Sequence, residues 1–340
     1  MKYILQSVEE NANHAGPKAK SDIRDIFIKK GYKAKTFLFP TKKFEKIVRL
    51  PKVIRETLSD IADDDTVVLQ FPTGFQTKGL FDRYLLKKLR KKQDKVVIVH
   101  DLEGLRQQDS SKLKSEISFL NQFRLVVLHN EKMTQICRKN GLTTEVIEIG
   151  LFDYLVTDQY VGTSNINPKK LNFAGNLDKS EFISKLNLLH LKNGELNLFG
   201  PTVNSKFEQN IVYHGSIPSD DIPAVLEKNG GFGLIWDGYS LDSCEGKNGE
   251  YLKYNNPHKL SLYIASKIPV ICWEKAAIAS FVKEKNIGIL IGNLNELDAK
   301  LSEITTEEYM NMKNNIDAIS ENIVDGYYTK RAIKAMESVS

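Results

Sequence analysis

What this sequence has little of already excludes several classes of protein. It holds no run of about 18 apolar residues, and its longest apolar stretch, 262–273, is interrupted by Lys267 and Pro269, so no membrane-spanning helix is predicted. The apolar run at the N-terminus is too short for a signal peptide. Three cysteines without close spacing predict neither a disulfide framework nor a zinc site, and they suit a reducing compartment. We therefore expect a cytoplasmic protein.

Common catalytic motifs are missing as well. The chain has no GxGxxG after its first predicted strand, no GxxxxGK[ST] loop and no GxSxG turn. Its six histidines show no HxxxH or HExxH spacing, so no metal site is expected. The acidic run 63–65 precedes a predicted strand, whereas open α/β sheets bind ligands beyond the carboxyl ends of strands. A solvated turn is the favoured interpretation of that run.

The composition is that of an ordinary globular protein. Of 340 residues, 41% are apolar and 27% are charged, and the net charge is +5. This length favours two domains. Basic residues crowd 42–52 and 87–95, but interleaved aromatic residues and any helix-turn-helix, RRM or KH signature are missing. These absences count against a nucleic-acid-binding module, and no nucleic-acid partner is expected.

Apolar runs rich in β-branched residues alternate with helical segments along the whole chain, which is typical of parallel sheets buried on both faces. We count about six strands in each half, with helices predicted at 53–62 and 80–92 among others. The predicted organisation is an N-terminal domain (1–155), a polar linker (156–169), a C-terminal domain (170–318) and terminal helices (319–340) that pack back on the N-terminal domain. The fold class is α/β, with two Rossmann-like doubly wound domains facing across a cleft.

Candidate residues of the first half follow the predicted strands. His100 and Asp101 come directly after an apolar strand, where a carboxylate can accept a proton from a hydroxyl nucleophile. Asp101 could equally cap a helix or turn, and the sequence leaves both interpretations open. Glu103 is a weaker candidate. Gly16 and Thr73, which follow two other strands, are placed on the acceptor side.

The second half holds the sharper signal, in the segment YNNPHKL at 254–260. Pro257 suits the first position of a helix with Asn256 as its N-cap, which puts His258 and Lys259 in the first turn. A lysine there opposes the helix dipole, and it makes sense if a phosphate binds beside the free N–H groups. The alternative is a flexible surface lysine. Trp236 and Trp273, at strand ends, are expected in the core.

Other candidates of this half also stand at strand ends. Glycines at such points let the backbone approach a ligand closely. Lys179, soon after one of these turns, could reach the same anion as Lys259. The nucleotide side of the predicted site takes in Gly175, Asn176, Lys179, Ser216, Asp237, Asn256, His258 and Lys259.

Three stretches carry a family resemblance: GGFGLIWDG (230–238), GEYLKYNNPHKLSLYIASKIPVI (249–271) and WEKAAIASFV (273–282). They resemble bacterial galactofuranosyltransferases and the glucosyltransferase-3-like proteins, with weaker matches at 67–73 and 97–101. The resemblance implies a GT-B glycosyltransferase fold and transfer of a sugar from a UDP-sugar donor without a metal or other cofactor. Lys259 matches the diphosphate-contacting lysine of that family, and Lys179 falls where a relative has a phosphate-binding arginine.

By this resemblance, the expected function is transfer of galactofuranose to a lipid-linked or glycan acceptor in cell-surface polysaccharide synthesis. Asp101 is the expected base of an inverting displacement, and the sequence leaves retention open as the alternative. The alternatives are a UDP-glucose-dependent glucosyltransferase and a non-catalytic UDP-sugar-binding subunit of a transferase complex. A homo-oligomer is a further possibility. The basic segment 80–95 is expected to touch the inner face of the cell membrane, against the alternative of a solvated helix face.

Overall fold

The computed structural model of the chain describes residues 1–9, 18–39, 42–73, 79–156, 166–201, 206–207 and 210–339. It divides into two compact units. The first unit comprises Met1–Gly150 together with Tyr328–Ser340, and the second comprises Leu151–Tyr327. Each unit contains one six-stranded sheet, which confirms the count of six strands in each half.

The sheet of the first unit is entirely parallel, in the order β2-β1-β3-β4-β5-β6. Its strands are β1 (Lys2–Glu9), β2 (Lys33–Phe39), β3 (Thr66–Phe71), β4 (Lys95–Val99), β5 (Leu125–Leu128) and β6 (Glu145–Glu148). The apolar runs of β3, β4 and β5 are almost wholly buried, as expected for central strands covered on both faces.

Among the described residues of this unit, six helices follow strands β1 to β5, with two of them after β4. They are α1 (Lys18–Lys29), α2 (Lys43–Thr57), α3 (Leu80–Leu89), α4 (Glu103–Arg106), α5 (Ser110–Leu120) and α6 (Glu131–Lys139). Asp109 and Asn130 begin α5 and α6 as N-caps, each accepting a backbone N–H from the first turn.

Two helix predictions of this unit were wrong in extent. The helix predicted at 53–62 begins ten residues earlier, because Pro51 is held inside α2 where a proline usually ends a helix. The basic helix predicted at 80–92 ends at Leu89. Lys92 beyond it is buried, and its ammonium donates to the Ile61 carbonyl and to Asp63. The acidic run 63–65 does form a turn, but Asp65 is buried and accepts the Ala62 N–H.

The second unit repeats the parallel arrangement in the order β12-β11-β10-β7-β8-β9. Its strands are β7 (Lys170–Ala174), β8 (Glu195–Phe199), β9 (Ile211–Tyr213), β10 (Phe232–Ile235), β11 (Val270–Trp273) and β12 (Gly288–Ile291). Trp236 and Trp273 are buried at strand ends, which confirms their placement in the core.

The helices of the second unit include two 3-10 segments, Glu181–Leu188 and Leu294–Glu296. The α-helices are α7 (Ile222–Asn229), α8 (Gly246–Tyr251), α9 (His258–Ala265), α10 (Ala279–Glu284), α11 (Leu297–Glu303) and α12 (Thr306–Asp325). A capping box between Thr305 and Glu308 starts α12. Within the described part of the chain, no helix combines the length and the apolar character needed to cross a bilayer.

The last helix, α13 (Tyr327–Ser338), packs on the first unit for nearly all of its length. The Lys2 ammonium pairs with Glu337 at 2.6 Å, and the Tyr32 hydroxyl donates to the same carboxylate at 3.1 Å. Arg331 donates to the Ile149 carbonyl at 2.9 Å. The end of the chain is therefore tied to the beginning of the first sheet and to the segment after β6.

Candidate active site

The carboxyl edge of the second sheet carries a floor of glycine backbone. The Gly175 N–H, after β7, donates to the Phe199 carbonyl at 2.9 Å, and the Gly200 N–H, after β8, donates to the Gly215 carbonyl at 2.8 Å. A Cβ atom at Gly200 would lie 1.7 Å from the Gly175 carbonyl oxygen. Only glycine permits this approach, so three consecutive strand ends present bare backbone at one edge.

Lys259 lies directly against this floor. It stands in the first turn of α9, and its Nζ lies 4.0 Å from the centroid of the Phe173 ring at the end of β7. A Cβ atom at Gly175 would lie 3.0 Å from the Lys259 Cε. The fold therefore brings together Gly175 and Lys259, which lie far apart in the sequence, and places an ammonium beside the free N–H groups of a helix start.

The charge on Lys259 is held in an unfavourable medium. Burial lowers the pKa of its ammonium, and the nearby Asp237 carboxylate opposes this effect by favouring the charged form. Asp237 also accepts the Gly238 N–H at 2.8 Å. An anionic group placed beside Lys259 would compensate its desolvation, as a phosphate does at comparable helix starts.

The start of α9 differs by one residue from the prediction. Pro257 itself is the N-cap, with extended backbone angles, and the helix begins at His258; Asn256, predicted as the cap, is buried one position earlier. The His258 ring stacks on Tyr154 at 4.9 Å, and its Nε2 lies 3.3 Å from the Asp153 carbonyl oxygen. These contacts tie the start of α9 to the segment 152–154.

The loop after β7 is tied to the loop after β10. Asn176 accepts the Lys179 N–H at 3.1 Å, and Phe182 donates its N–H to the Gly238 carbonyl at 2.8 Å. The Lys179 side chain is exposed, as is Ser216 after β9. The two loops therefore form one bonded edge, on which Lys179 stands with its side chain open to solvent.

In the first unit, His100 and Asp101 stand at the carboxyl end of β4, as predicted. The His100 N–H donates to the Phe71 carbonyl at 2.7 Å, and its Nε2 lies 2.9 Å from the Gln70 amide oxygen. The Asp101 carboxylate is 32% exposed and pairs with Arg106. The N-cap of α4 is Leu102, so Asp101 does not cap this helix.

The first turn of α4 is held by Glu116 of α5. Its carboxylate accepts the N–H groups of Glu103 at 3.0 Å and Gly104 at 2.9 Å. Burial raises the pKa of Glu116 to about 7, although these two bonds oppose that shift. Glu116 thus positions the short helix that carries Arg106, the partner of Asp101.

Of the two acceptor-side candidates, Thr73 is described in the structure and Gly16 is not. Thr73, after β3, is buried, and its hydroxyl donates to Asp82 at 2.8 Å. Burial raises the pKa of Asp82. The Ser7 hydroxyl, on β1, donates to the Thr73 carbonyl. Gly16 falls in the range 10–17, which lies outside the described residues.

Comparison with known proteins gives one consistent result. Two family models match, the N-terminal domain of glucosyltransferase 3-like proteins over residues 1–151 and their C-terminal domain over residues 171–336. The chain is 30% identical over 282 residues to the beta-1,6-galactofuranosyltransferase WbbI of Escherichia coli (strain K12), covering 82% of this chain and 80% of that protein. The chain belongs to the glucosyltransferase 3-like family.

A second relative and two solved structures agree with this assignment. Glucosyltransferase 3 of Streptococcus gordonii is 26% identical over 93% of this chain and 92% of its own length. Sucrose-phosphate synthase of Thermosynechococcus elongatus superposes with a TM-score of 0.70 at 11% identity over 100% of both chains. Anabaena HepE, solved with UDP and glucose, superposes with a TM-score of 0.65 at 14% identity, also over 100% of both chains. The fold is the GT-B fold, and the protein is a glycosyltransferase, as the sequence predicted.

Two residues of this glucosyltransferase 3-like protein were missed in the sequence. Asn255 has a buried Oδ1 without a hydrogen-bond partner among the described residues, so it can accept a bond from a ligand. Lys20, in the first turn of α1, donates to the Pro72 carbonyl; burial lowers its pKa to about 8, and the Asp101 carboxylate opposes this. Lys20 repeats the signal of Lys259, since both are lysines in the first turn of a helix. Asn255 lies inside the segment YNNPHKL, but it is neither the expected cap nor in the first turn of the helix, so no local rule selects it.

Proposed function

We propose that this glycosyltransferase moves galactofuranose from its UDP-sugar to a saccharide acceptor of a cell-surface polysaccharide. The observation that carries the proposal is the position of Lys259, against Gly175 and in the first turn of α9. Support for the donor sugar comes from the Escherichia coli relative, which is named a galactofuranosyltransferase and is 30% identical.

The diphosphate of the donor would lie at the glycine floor. When the bond between the anomeric carbon and the phosphate oxygen breaks, negative charge develops on the departing UDP. Lys259 and the free N–H groups of α9 are fixed positive groups that would stabilise this charge, and fixed groups of this kind contribute strongly in dry sites. Because lysine supplies the charge, we propose a mechanism that needs no metal ion. Exposed Lys179 would add a second cation from the loop after β7.

Asp101 is proposed as the base. An acceptor hydroxyl oxygen would form the new bond to the anomeric carbon as the bond to UDP breaks, and its proton would pass to the Asp101 carboxylate, giving inversion. Arg106 orients this carboxylate by its ion pair, and Gln70 orients the neighbouring His100. The same carboxylate acts on buried Lys20, since Asp101 favours the charged ammonium while burial lowers its pKa to about 8.

The acceptor is proposed to be lipid-linked or a free glycan, and the enzyme is proposed to work at the cytoplasmic face of the cell membrane. A second candidate function is glucosyl transfer from UDP-glucose to a glycan or glycoprotein. It is favoured by the Streptococcus gordonii relative, which is named a glucosyltransferase and matches 93% of this chain.

The test measures UDP release by the purified full chain with UDP-galactofuranose or UDP-glucose as donor and a panel of octyl glycosides as acceptors. We expect acceptor-dependent release from UDP-galactofuranose, unchanged by EDTA. Faster release from UDP-glucose would transfer the proposal to the second candidate function. Loss of turnover in EDTA, restored by added magnesium or manganese, would contradict the metal-free mechanism.

A further inference from the structure

Helix α2 presents large apolar side chains to solvent. Phe44 is 79% exposed, Val48 is 61% exposed and Ile47 is 42% exposed. Their spacing of three and four residues places them on one face. The face of α2 that covers the sheet is a different one, since Leu50 and Ile54 are buried there. The exposed apolar face is therefore not needed to build the core of the first unit.

Basic residues border this apolar face. Lys52 and Arg55 follow Val48 by one and two turns and are exposed, as is Arg49. Residues 42–57 hold six basic and two acidic side chains, a net charge of +4. Glu45 and Glu56 are the two acids; the ion pairs Lys42–Glu45 and Lys52–Glu56 are wide, at 3.7 and 3.9 Å. Such exposed pairs neutralise little, so the face keeps its positive potential.

Helix α3 extends the positive potential, because it packs beside α2. Its apolar residues Phe81, Leu85 and Leu89 are buried, and its cations are turned outward. The exposed cations of α3 and of the two residues that follow it are Arg83, Lys87, Lys88, Arg90 and Lys91. The basic-apolar surface is defined as the exposed residues Phe44, Ile47 and Val48 together with the exposed cations of α2 and of 83–91.

We propose that the basic-apolar surface docks on an anionic lipid bilayer, with Phe44, Ile47 and Val48 entering the headgroup boundary. Charge complementarity decides the occupant. An apolar face flanked by cations binds lipid by burying apolar area and by attraction to negative headgroups. A second copy of the chain would bring its own positive surface to the contact, which like-charge repulsion disfavours. The proposal deepens the membrane-linked acceptor of the proposed function, and it places contact chiefly on α2 instead of on the segment 80–95 alone.

The experiment is flotation of the full chain with vesicles. One set holds phosphatidylglycerol mixed into phosphatidylcholine, and the other holds phosphatidylcholine only. We expect binding to the mixed vesicles at low salt, weakened at high salt because screening shortens electrostatic attraction. Phe44→Ser with Val48→Ser should reduce binding about tenfold or more, because two apolar side chains no longer enter the lipid.

The matched control is Ile166→Ser with Leu188→Ser, which removes two exposed apolar side chains from the second unit. The control should bind vesicles like the wild type. Equal binding by both double variants, or no binding to mixed vesicles at low salt, overturns the proposal. A Phe44→Trp variant provides a direct reporter. Its added fluorescence should shift to shorter wavelength with mixed vesicles, and an unshifted spectrum would show that this position stays in water.

Two parallel measurements separate this proposal from others. Calorimetric titration with UDP tests the proposed function, and both double variants should bind UDP like the wild type. Absent UDP binding would count against the proposed function and leave the vesicle result standing. Sedimentation velocity without lipid tests the other occupant. A dimer that Phe44→Ser with Val48→Ser abolishes, in a chain that ignores vesicles, would assign the surface to a second copy and overturn the lipid proposal.

Discussion

Lys259→Met separates a binding role of this lysine from a structural one. Methionine keeps the unbranched apolar stem that packs on Phe173 and Gly175, and it removes the ammonium. If Lys259 holds the diphosphate, the variant loses a charge-assisted hydrogen bond worth about 1.5–3 kcal/mol. At about 1.4 kcal/mol per tenfold change, the affinity for UDP should fall roughly 10- to 150-fold.

The same substitution should leave the fold intact or make it more stable. Burial lowers the pKa of Lys259 below its ordinary value of 10.5. A lysine whose folded pKa is lowered costs stability while it is protonated in the unfolded chain, and this cost disappears as the pH rises through the folded pKa towards the unfolded one. Methionine removes the cost at neutral pH. The melting temperature of Lys259→Met at pH 7 should therefore equal or exceed that of the wild type.

Lys313→Met is the matched control, because Lys313 is also a buried lysine of the second unit. Its ammonium is 3.2 Å from Asp317 and 3.4 Å from the Lys267 carbonyl oxygen. This variant should melt at a lower temperature and bind UDP normally. The assays are calorimetric titration with UDP and thermal unfolding at pH 7. A Lys259→Met protein that binds UDP within threefold of the wild type, or that melts earlier, would refute the reasoning.

Two further substitutions test the first unit. Asp101→Asn keeps the shape of the side chain and removes the proton acceptor, so turnover should fall about 10²- to 10⁴-fold while UDP affinity stays unchanged. The control is Asp109→Asn, a change at an exposed helix cap, which should keep the turnover rate of the wild type. A loss below about threefold in Asp101→Asn would direct attention to Glu103. Burial raises the pKa of Glu116 from 4.5 to about 7. This carboxyl group should therefore destabilise the native state by up to about 3 kcal/mol as the pH rises from about 4.5 to 7. The free energy of unfolding in urea, compared between pH 5 and pH 8, should change less in Glu116→Gln than in the wild type. An equal change in both proteins would show that Glu116 is not the source of the pH dependence.

The sheet architecture could be predicted because it depends on local sequence patterns. Buried parallel strands such as β3, β4 and β10 are continuous apolar runs, since both of their faces are covered. Right-handed crossovers then require helices between them, and the sequence shows those helices. The start of α9 was predicted within one residue, because proline suits the beginning of a helix. The position of Lys259 in its first turn follows from that start.

The predicted ends of two helices were wrong where packing overrode a local sequence rule. Pro51 is accommodated inside α2, and Lys92 leaves the basic helix because its ammonium is drawn to the Ile61 carbonyl and Asp63. Both outcomes depend on residues brought near by the fold. A proline signal and a run of basic residues describe the chain alone, so neither could reveal them.

By itself the sequence determined the fold class, the number of strands in each sheet, the family and the segment that carries Lys259. Only the tertiary structure decided that Lys259 lies on Phe173 and that the Asp101 carboxylate acts on buried Lys20. It also decided that the Asn255 oxygen is buried without a partner among the described residues and that Phe44 stays exposed. The physical reason is the sequence separation of the residues that interact. Helix starts and apolar runs are set by residues a few positions apart, whereas burial, and the pKa that follows from it, is set by neighbours that are distant in the sequence.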